Sequence, residues 1–599
     1  MALRIEGINQ QFGKQQALHD VTIHVERGDC YGFIGHNGAG KTTAMRIMLG
    51  LLVPDSGRVL VDGFDARRYP REARARMGAL IEAPGFHGAW SGKRNLMLLD
   101  RLAGGNSDLD GLLDLVGLGH VGNKPVRAYS QGMRQRLGVA QALLGEPRYI
   151  LLDEPTNGLD PDGIAEMRQL LLRLTREENQ TVFVSSHQLH ELAGICNRVG
   201  VLRAGKLVLE ERLEKLLVRD RYRIRTSDDQ RATEILTGLG VEVREGSQEL
   251  VASLGDRPPA EALQQLVAGG VEVSEYATKP PTLEEIYHRE AEPVVAPAPL
   301  EVGPPAERIS PSRPLSRMLG HEWRRWTGQL AVPLMLLLPT LVGLLAMMLR
   351  RQGMMADEEA IAAGDLVSAT DINAFEAVAR SMHAGVWLMC YIVLGLASQS
   401  IAGEFAQGTL RNVLLRPVTR LNVMIGKAVA VLGAALLSYL VLVLVSTGAA
   451  AWGFQFEGVF EILPNGKRFE LTPAADLWPS FWQALRSPLL PLAAYAGIGF
   501  LAGTFLRRGA SSLAVALGAG FLLDLGRDFS RGSILEGAFP PAYVPSLGRT
   551  SFVDFFLEES QGVSNALYLF EGTDKLVPLL WILLTFGLAT ILFRRRYVP

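Results

Sequence analysis

Cysteine is nearly absent. Cys30, Cys196 and Cys390 are the only three in 599 residues, far apart and without CxxC spacing, which argues against a disulfide framework and a structural zinc site. A charge surplus is missing too. With 60 Lys and Arg against 62 Asp and Glu, the formal net charge is −2, so there is no electrostatic footprint for nucleic acid, and none is expected as a partner. Disorder is excluded, because 48% of the residues are hydrophobic and only 20% charged. The opening MALRIEGINQQFG lacks a basic stretch followed by an apolar run, so no signal peptide is expected and the first half should stay in the cytoplasm.

The average conceals two unlike halves. Up to about Arg325 charged and apolar residues are mixed; beyond it, Thr327 to Leu349, Ser381 to Gly403, Ala428 to Phe456, Ser487 to Leu506 and Leu576 to Phe593 contain no Asp, Glu, Lys or Arg. Each run approaches or exceeds the roughly 20 residues that cross a bilayer. A sixth span is expected from Gly509 to about Gly526, interrupted by Asp524. Arg324 and Arg325, then Arg411 to Lys427, Arg507 with Arg508, and Arg594 to Arg596 make every second connection basic. That pattern predicts both termini in the cytoplasm, with Arg350 and Arg351 against the trend. Ala291 to Pro314 carries seven prolines and reads as a semi-rigid linker. After it, Arg317 to Trp326 suits either an interfacial helix, with Trp323 and Trp326 as anchors, or a plain helix end.

Chemistry is concentrated in the first half. Tyr31 to Ile34 reads as a buried strand that runs into Gly35-His36-Asn37-Gly38-Ala39-Gly40-Lys41-Thr42, followed by a helical stretch from Thr43 to Leu49. Glycines let successive backbone N–H groups turn toward a phosphate, Lys41 supplies a point charge, and Thr42 can bind magnesium. A second apolar strand, Tyr149 to Leu152, ends in Asp153-Glu154-Pro155. There Asp153 can hold magnesium and Glu154 can polarise an attacking water. His187, after the strand from Thr181 to Ser186, can reach a terminal phosphate.

Between the two phosphate motifs lies Tyr129-Ser130-Gln131-Gly132-Met133-Arg134-Gln135-Arg136. With it, residues 1–215 resemble an ATP-binding-cassette (ABC) transporter cassette, a P-loop α/β domain. The resemblance implies that ATP is held by Gly35, Asn37, Gly38, Gly40, Lys41, Thr42 and Thr43, with Phe12 stacked on adenine. It further implies Ser130 and Gly132 as the matching positions of the family's signature segment, Asp160 in the D-loop, Glu154 as the catalytic carboxylate and His187 as the switch histidine. Magnesium would be held by Thr42, Asp153 and Glu82. Glu82 stands where the family commonly has glutamine, as in the bacitracin-export and lantibiotic-immunity ATPases this sequence resembles; a salt bridge is its other reading.

Residues 216–290, ending in Pro281-Thr282-Leu283-Glu284-Glu285-Ile286-Tyr287, resemble the small accessory domain of daunorubicin-type resistance ATPases and are expected to be α+β. Residues 315–599 should form an all-α permease of six transmembrane helices. Glu404 to Arg411, continuing to Arg420, is similar to the cytoplasmic coupling segment of type-2 ABC export permeases. Asp524 reads either as an intramembrane functional acid or, as its i, i+3 spacing to Arg527 favours, as half of an ion pair at the outer interface. The resemblance implies half of an ATP-driven exporter in the cytoplasmic membrane that moves an amphiphile, drug, peptide or lipid. One cassette per chain calls for a second copy or a related half-transporter, with membrane lipids as surroundings. The alternative is an immunity or mechanical device that releases no substrate; an uptake system fits less well.

Overall fold

The computed structural model describes residues 2–595 except 83, 193, 214–220, 246–249, 256, 279–313, 328–330, 364–368, 464–466, 507, 532, 534, 546–550 and 564–572. The proline-rich stretch at 291–313 and the segment Pro281 to Tyr287 lie outside the described residues. Two compact units result: Met1–Pro84 with Gly88–Ser310 and Leu415–Pro417, and Gly85–His87 with Pro311–Leu414 and Val418–Pro599.

The first unit opens with β1 (Ala2–Phe12) and β2 (Gln15–Glu26), then β3 (Cys30–Ile34), α1 (Lys41–Met48), β4 (Ser56–Val61), β5 (Phe64–Asp65) and, further on, β6 (Met77–Leu80). Next come α2 (Gln131–Leu143), β7 (Tyr149–Asp153), α3 (Pro161–Arg176), β8 (Thr181–Ser186), α4 (Leu189–Leu192), β9 (Arg198–Arg203) and β10 (Lys206–Arg212). An antiparallel sheet of order β2-β1-β4-β5 accompanies a six-stranded sheet of order β10-β9-β3-β8-β7-β6, parallel except at β10. Every residue of β3, β7 and β8 is buried, as expected for parallel strands covered on both faces and therefore apolar without alternation. Gly32 in β3 has a packing reason: a Cβ there would stand 2.7 Å from a Leu192 methyl. The fold also brings two distant cysteines together, Cys30 Sγ lying 3.4 Å from Cys196 Sγ as buried free thiols.

After the cassette sheets come β11 (Arg221–Thr226), α5 (Asp229–Gly238), β12 (Glu242–Glu245), β13 (Leu250–Ser253), α6 (Pro259–Ala268) and β14 (Val273–Thr278). Their sheet order is β12-β13-β11-β14, all antiparallel. Ile224, Leu236, Leu250 and Leu266 anchor a core made entirely by these elements. This α+β subdomain thus closes its own hydrophobic face.

In the second unit, α7 (Pro314–Thr327) precedes α8 (Ala331–Ala363), α9 (Ala374–Ala406), the short α10 (Thr409–Leu414) and α11 (Arg420–Gly453). Then follow α12 (Ala474–Ala484), α13 (Leu489–Phe505), α14 (Gly509–Phe529), α15 (Phe552–Glu559) and α16 (Leu576–Arg595). The unit is not all-α as expected: β15 (Ala369–Thr370), β16 (Val459–Ile462) and β17 (Arg468–Thr472), from the segments between spans, pair as a small antiparallel sheet. Among the described residues six segments are long and apolar enough to cross a membrane: Pro333–Gly353, Ala374–Ala406, Arg420–Gly453, Ala474–Phe505, Gly509–Phe529 and Leu576–Arg594. The second, third and fourth outrun the charge-free intervals. Backbone hydrogen bonding continues through Arg420 and Lys427, and the fourth window includes two helices separated near Pro488.

Small residues set the helix spacing. A Cβ on Gly497 would come within 2.2 Å of Thr585 Oγ1, one on Gly499 within 2.3 Å of the Leu394 carbonyl oxygen, and one on Gly503 within 2.6 Å of the Ser398 carbonyl oxygen. The glycines of α13 therefore serve close helix contact rather than a cavity. Ser381 with Ser446, and Ser398 with Ser512, add interhelical hydroxyl bonds of 2.6 Å. Asp524 and Arg527 depart from expectation. The Tyr391 hydroxyl of α9 donates to Asp524, while Arg527 binds Asp528 at 2.6 Å and the Pro541 carbonyl at 3.3 Å. Arg527 is 1% exposed, and the adjacent Asp528 with the Pro541 carbonyl of a neighbouring segment takes it in place of the i−3 carboxylate.

Candidate functional site

Gly40, with φ +108°, immediately precedes α1, and a Cβ there would meet the Ala17 carbonyl oxygen at 2.5 Å. Only glycine fits both the left-handed turn and the close approach. The loop from Gly35 to Gly40 then delivers Lys41 into the site, 5% exposed. Its Nζ donates to the carbonyls of Gly35 at 2.6 Å and His36 at 3.3 Å, and pairs with Glu154 Oε1 at 3.1 Å. Thr42 Oγ1 donates to Asp153 Oδ2 at 2.8 Å.

The carboxylates come from the end of β7. Asp153, 4% exposed, also accepts from Ser185 Oγ at 2.6 Å. Burial pushes its carboxyl upward, against the pull of the Ser185 and Thr42 hydroxyls. Glu154 has φ +45°, an uncommon conformation for a non-glycine residue and of the kind that concentrates at functional sites. Its N–H donates to Ser185 Oγ at 2.9 Å, so one buried hydroxyl bridges both acidic residues. His187 Nδ1 lies 3.3 Å from Glu154 Oε2, and its Nε2 is 2.9 Å from the Gln188 amide nitrogen. With that amide donating to Nε2, the ring proton belongs on Nδ1, facing the carboxylate.

Lys41, Thr42, Asp153, Glu154 and His187 thus form one connected cluster. Ser185 belongs to it and was not singled out in the sequence; a serine closing an apolar strand immediately before Ser186-His187 was the available signal. Glu82 has φ +56° and pairs with Arg46 on α1, which joins it to the helix carrying Lys41 and Thr42. Ser130 and Asp160 stand apart at helix starts, accepting from Met133 N and Gly163 N, each at 3.2 Å. Among the described residues neither they nor Gly132 hydrogen-bonds to the Lys41 cluster. Asn37 and Gly38 are exposed in the loop, Thr43 lies in the first turn of α1, and Phe12 ends β1 with 41% exposure. Among the described residues no group of three His, Cys, Asp or Glu side chains converges on one point as a preformed metal site. Thr42 and Asp153 offer two adjacent oxygens, a donor set suited to a hard cation that takes its remaining ligands from phosphate.

A second charged cluster was not anticipated. In the membrane unit Lys427 Nζ lies 2.9 Å from Glu322 and 2.7 Å from Glu404, while Arg325 pairs with Glu322 at 2.8 Å and with Glu404. Acid and base alternate around a closed ring contributed by α7, α9 and α11. Exposure of the four side chains is between 0% and 7%. Burial alone would raise the Glu322 carboxyl, yet Lys427 and Arg325 hold it down to about 2. Arg325 and Lys427, which the sequence offers as orienting charges, are therefore internal partners.

Comparison with known proteins agrees with this architecture. Residues 18–157 match the family described as ABC transporter, and residues 359–471 the ABC-2 family transporter protein. The chain is similar to the bacitracin transport ATP-binding protein BcrA of Bacillus licheniformis, 39% identical over 39% of this chain and 78% of that protein. It is also similar to the lantibiotic transport ATP-binding protein SrtF of Streptococcus pyogenes, 37% identical over 35% of this chain and 90% of that protein. The daunorubicin resistance ATP-binding protein DrrA3 of Streptomyces coeruleorubidus is 33% identical over 48% of this chain and 94% of that protein. The chain belongs to the ABC transporters, with an ATPase cassette and an ABC-2 membrane domain fused in one polypeptide.

Proposed function

We propose that this protein is half of an ATP-driven exporter, two copies of which pair their cassettes to move an amphiphile, drug, peptide or lipid outward. The observation that carries the reading is the fusion, on one chain, of the Lys41–Asp153–Glu154–His187 cluster with six membrane-length helices. Lys41 rests on two loop carbonyls and Glu154. Arriving phosphates offer it stronger acceptors, which frees the Glu154 carboxylate to accept a proton from the attacking water. His187, its Nδ1 proton toward Glu154, holds that carboxylate in position. Thr42 and Asp153 would hold Mg2+, which neutralises charge developing on the transferred phosphoryl group.

Ser130 and Gly132 at the start of α2, together with Asp160, are surplus to the cluster of their own chain. In this reading they complete the ATP site of a second copy, the Ser130 hydroxyl and adjacent N–H groups facing phosphate. Basic connections at alternate ends of the spans support placement of both termini and the cassette in the cytoplasm.

Glu154→Gln tests the chemistry. Purified full chain carrying it should bind ATP yet lose about 10²–10⁴-fold in turnover, the contribution of a general base; ATPase activity at the wild-type rate sinks the assignment. ATP-dependent accumulation of labelled amphiphiles in inside-out vesicles tests export. Hydrolysis without accumulation of any of them favours a device that moves no released substrate.

A further inference from the structure

Several polar side chains of the second unit are closed on each other, as in the two serine pairs and the four-membered charge ring. Asp524 is different. It lies within the apolar span Gly509–Phe529, takes one hydrogen bond from the Tyr391 hydroxyl, and among the described residues forms no ion pair. Arg527, the nearest cation along the helix, is engaged by Asp528 and the Pro541 carbonyl. Arg527 reaches Asp524 through space but pairs directly with Asp528, so the carboxylate has no cation in direct contact, and an ionisable side chain within an apolar span marks a functional position.

Its surroundings are apolar and open. On the same helix Phe521, one turn before it, and the adjacent Leu525 are 60% and 39% exposed. On α9, Trp387 is 42% exposed and its ring centre is 5.5 Å from that of Tyr391. A carboxylate beside a tyrosine–tryptophan pair, with exposed apolar residues on the same helix, has the chemistry to hold a cation attached to an oily body: charge on charge, rings toward the cationic head, and the body against Leu and Phe.

We propose that Asp524, with the rings of Tyr391 and Trp387, is a binding subsite for a lipophilic monocation of the ammonium or phosphonium class. This rests on the exporter reading and narrows its substrate class. A tyrosine–aspartate pair that merely ties α9 to α14 makes the opposite prediction for Asp524→Asn, because asparagine keeps the volume and the acceptor oxygen for Tyr391 and removes only the charge.

The test is equilibrium binding of labelled tetraphenylphosphonium to the full chain in lipid nanodiscs without nucleotide, with binding to empty discs subtracted. Tetraphenylborate, of like shape and opposite charge, is measured in parallel. The wild type should bind the phosphonium and discriminate against the borate. Asp524→Asn should weaken phosphonium binding at least about tenfold, Trp387→Leu severalfold, and Tyr391→Phe, which keeps ring and charge, least. The proposal is overturned by an absence of phosphonium binding, by equal binding of the borate, or by Asp524→Asn behaving as wild type. Vesicle accumulation separates the two readings. Phosphonium bound but not accumulated with ATP leaves the subsite standing and removes export, whereas accumulation of other amphiphiles without phosphonium binding does the reverse.

Discussion

Two charge clusters, each with two acidic and two nitrogen-bearing side chains, meet opposite fates in this chain. In the cassette, Asp153 and Glu154 sit side by side, Lys41 leans on loop carbonyls, and His187 is 31% exposed. In the membrane unit, Glu322, Arg325, Glu404 and Lys427 alternate in sign, and all are buried. The first cluster is open, and in the function proposed above it gains partners when phosphate arrives. The second is complete, and any rearrangement must break pairs in a medium of low dielectric. Openness and neutrality, rather than the number of charges, separate a site that binds from one that holds helices in register.

The largest expected effect is on the cassette side. Lys41→Ala should abolish ATP-dependent stabilisation against heat and reduce turnover by at least about 10²-fold, since it removes charge that stabilises the transferred phosphoryl group; unchanged activity would dissolve the contrast at its open end. Next is Lys427→Met, which leaves two buried carboxylates sharing the single cation Arg325. Thermal or denaturant unfolding should show a loss of about 3–5 kcal/mol, and adding Glu404→Gln should recover part of it. A loss below about 1 kcal/mol, the range of exposed pairs, would place the ring with surface salt bridges.

Ser185→Ala comes third. By leaving the Glu154 N–H and Asp153 Oδ1 without their shared hydroxyl, it should cost about 1–3 kcal/mol and slow ATP turnover while leaving the ring's unfolding transition in place. The smallest and most discriminating effect is in pH. Glu322, lowered to about 2 from its ordinary 4.5, contributes stability above pH 4.5 that is lost as pH falls toward 2. Asp153, raised by burial from 3.8, works the other way: its penalty is absent while the carboxyl is protonated and appears as pH rises through its folded value. The stability difference between wild type and Glu322→Gln should therefore shrink on acidification, and that for Asp153→Asn should shift in the opposite sense. Parallel curves would contradict the assignment.

What the sequence disclosed follows from how local each signal is. Strand, glycine loop, Lys41 and helix are contiguous, and the spans announce themselves by missing charge over about 20 residues. The four members of the ring lie on three helices; i, i+3 spacing links Glu322 to Arg325, but nothing local links that pair to Glu404 or Lys427, so Arg325 and Lys427 look like span-end cations. Asp524 shows the same limit. Its neighbour at i+3 suggested an ion pair, yet the bond goes to Tyr391, which is 133 residues away in the chain. For the accessory subdomain the short β-like runs are visible, whereas the pairing of β11 with β13 and β14 requires the fold.

The glycines of α13 have a mechanical consequence. Where a helix meets its neighbours through side chains, small displacements can be absorbed by rotamer changes. At Gly499 and Gly503 the nearest surfaces are the Leu394 and Ser398 carbonyls of α9, and at Gly497 the short Thr585 side chain of α16, so little side chain is available to absorb displacement. A push on any one of these three helices is therefore passed to the others with little slack. They behave as a single stiff lever, and whatever compliance the membrane unit needs must come from elsewhere, such as α14, whose exposed face carries Asp524.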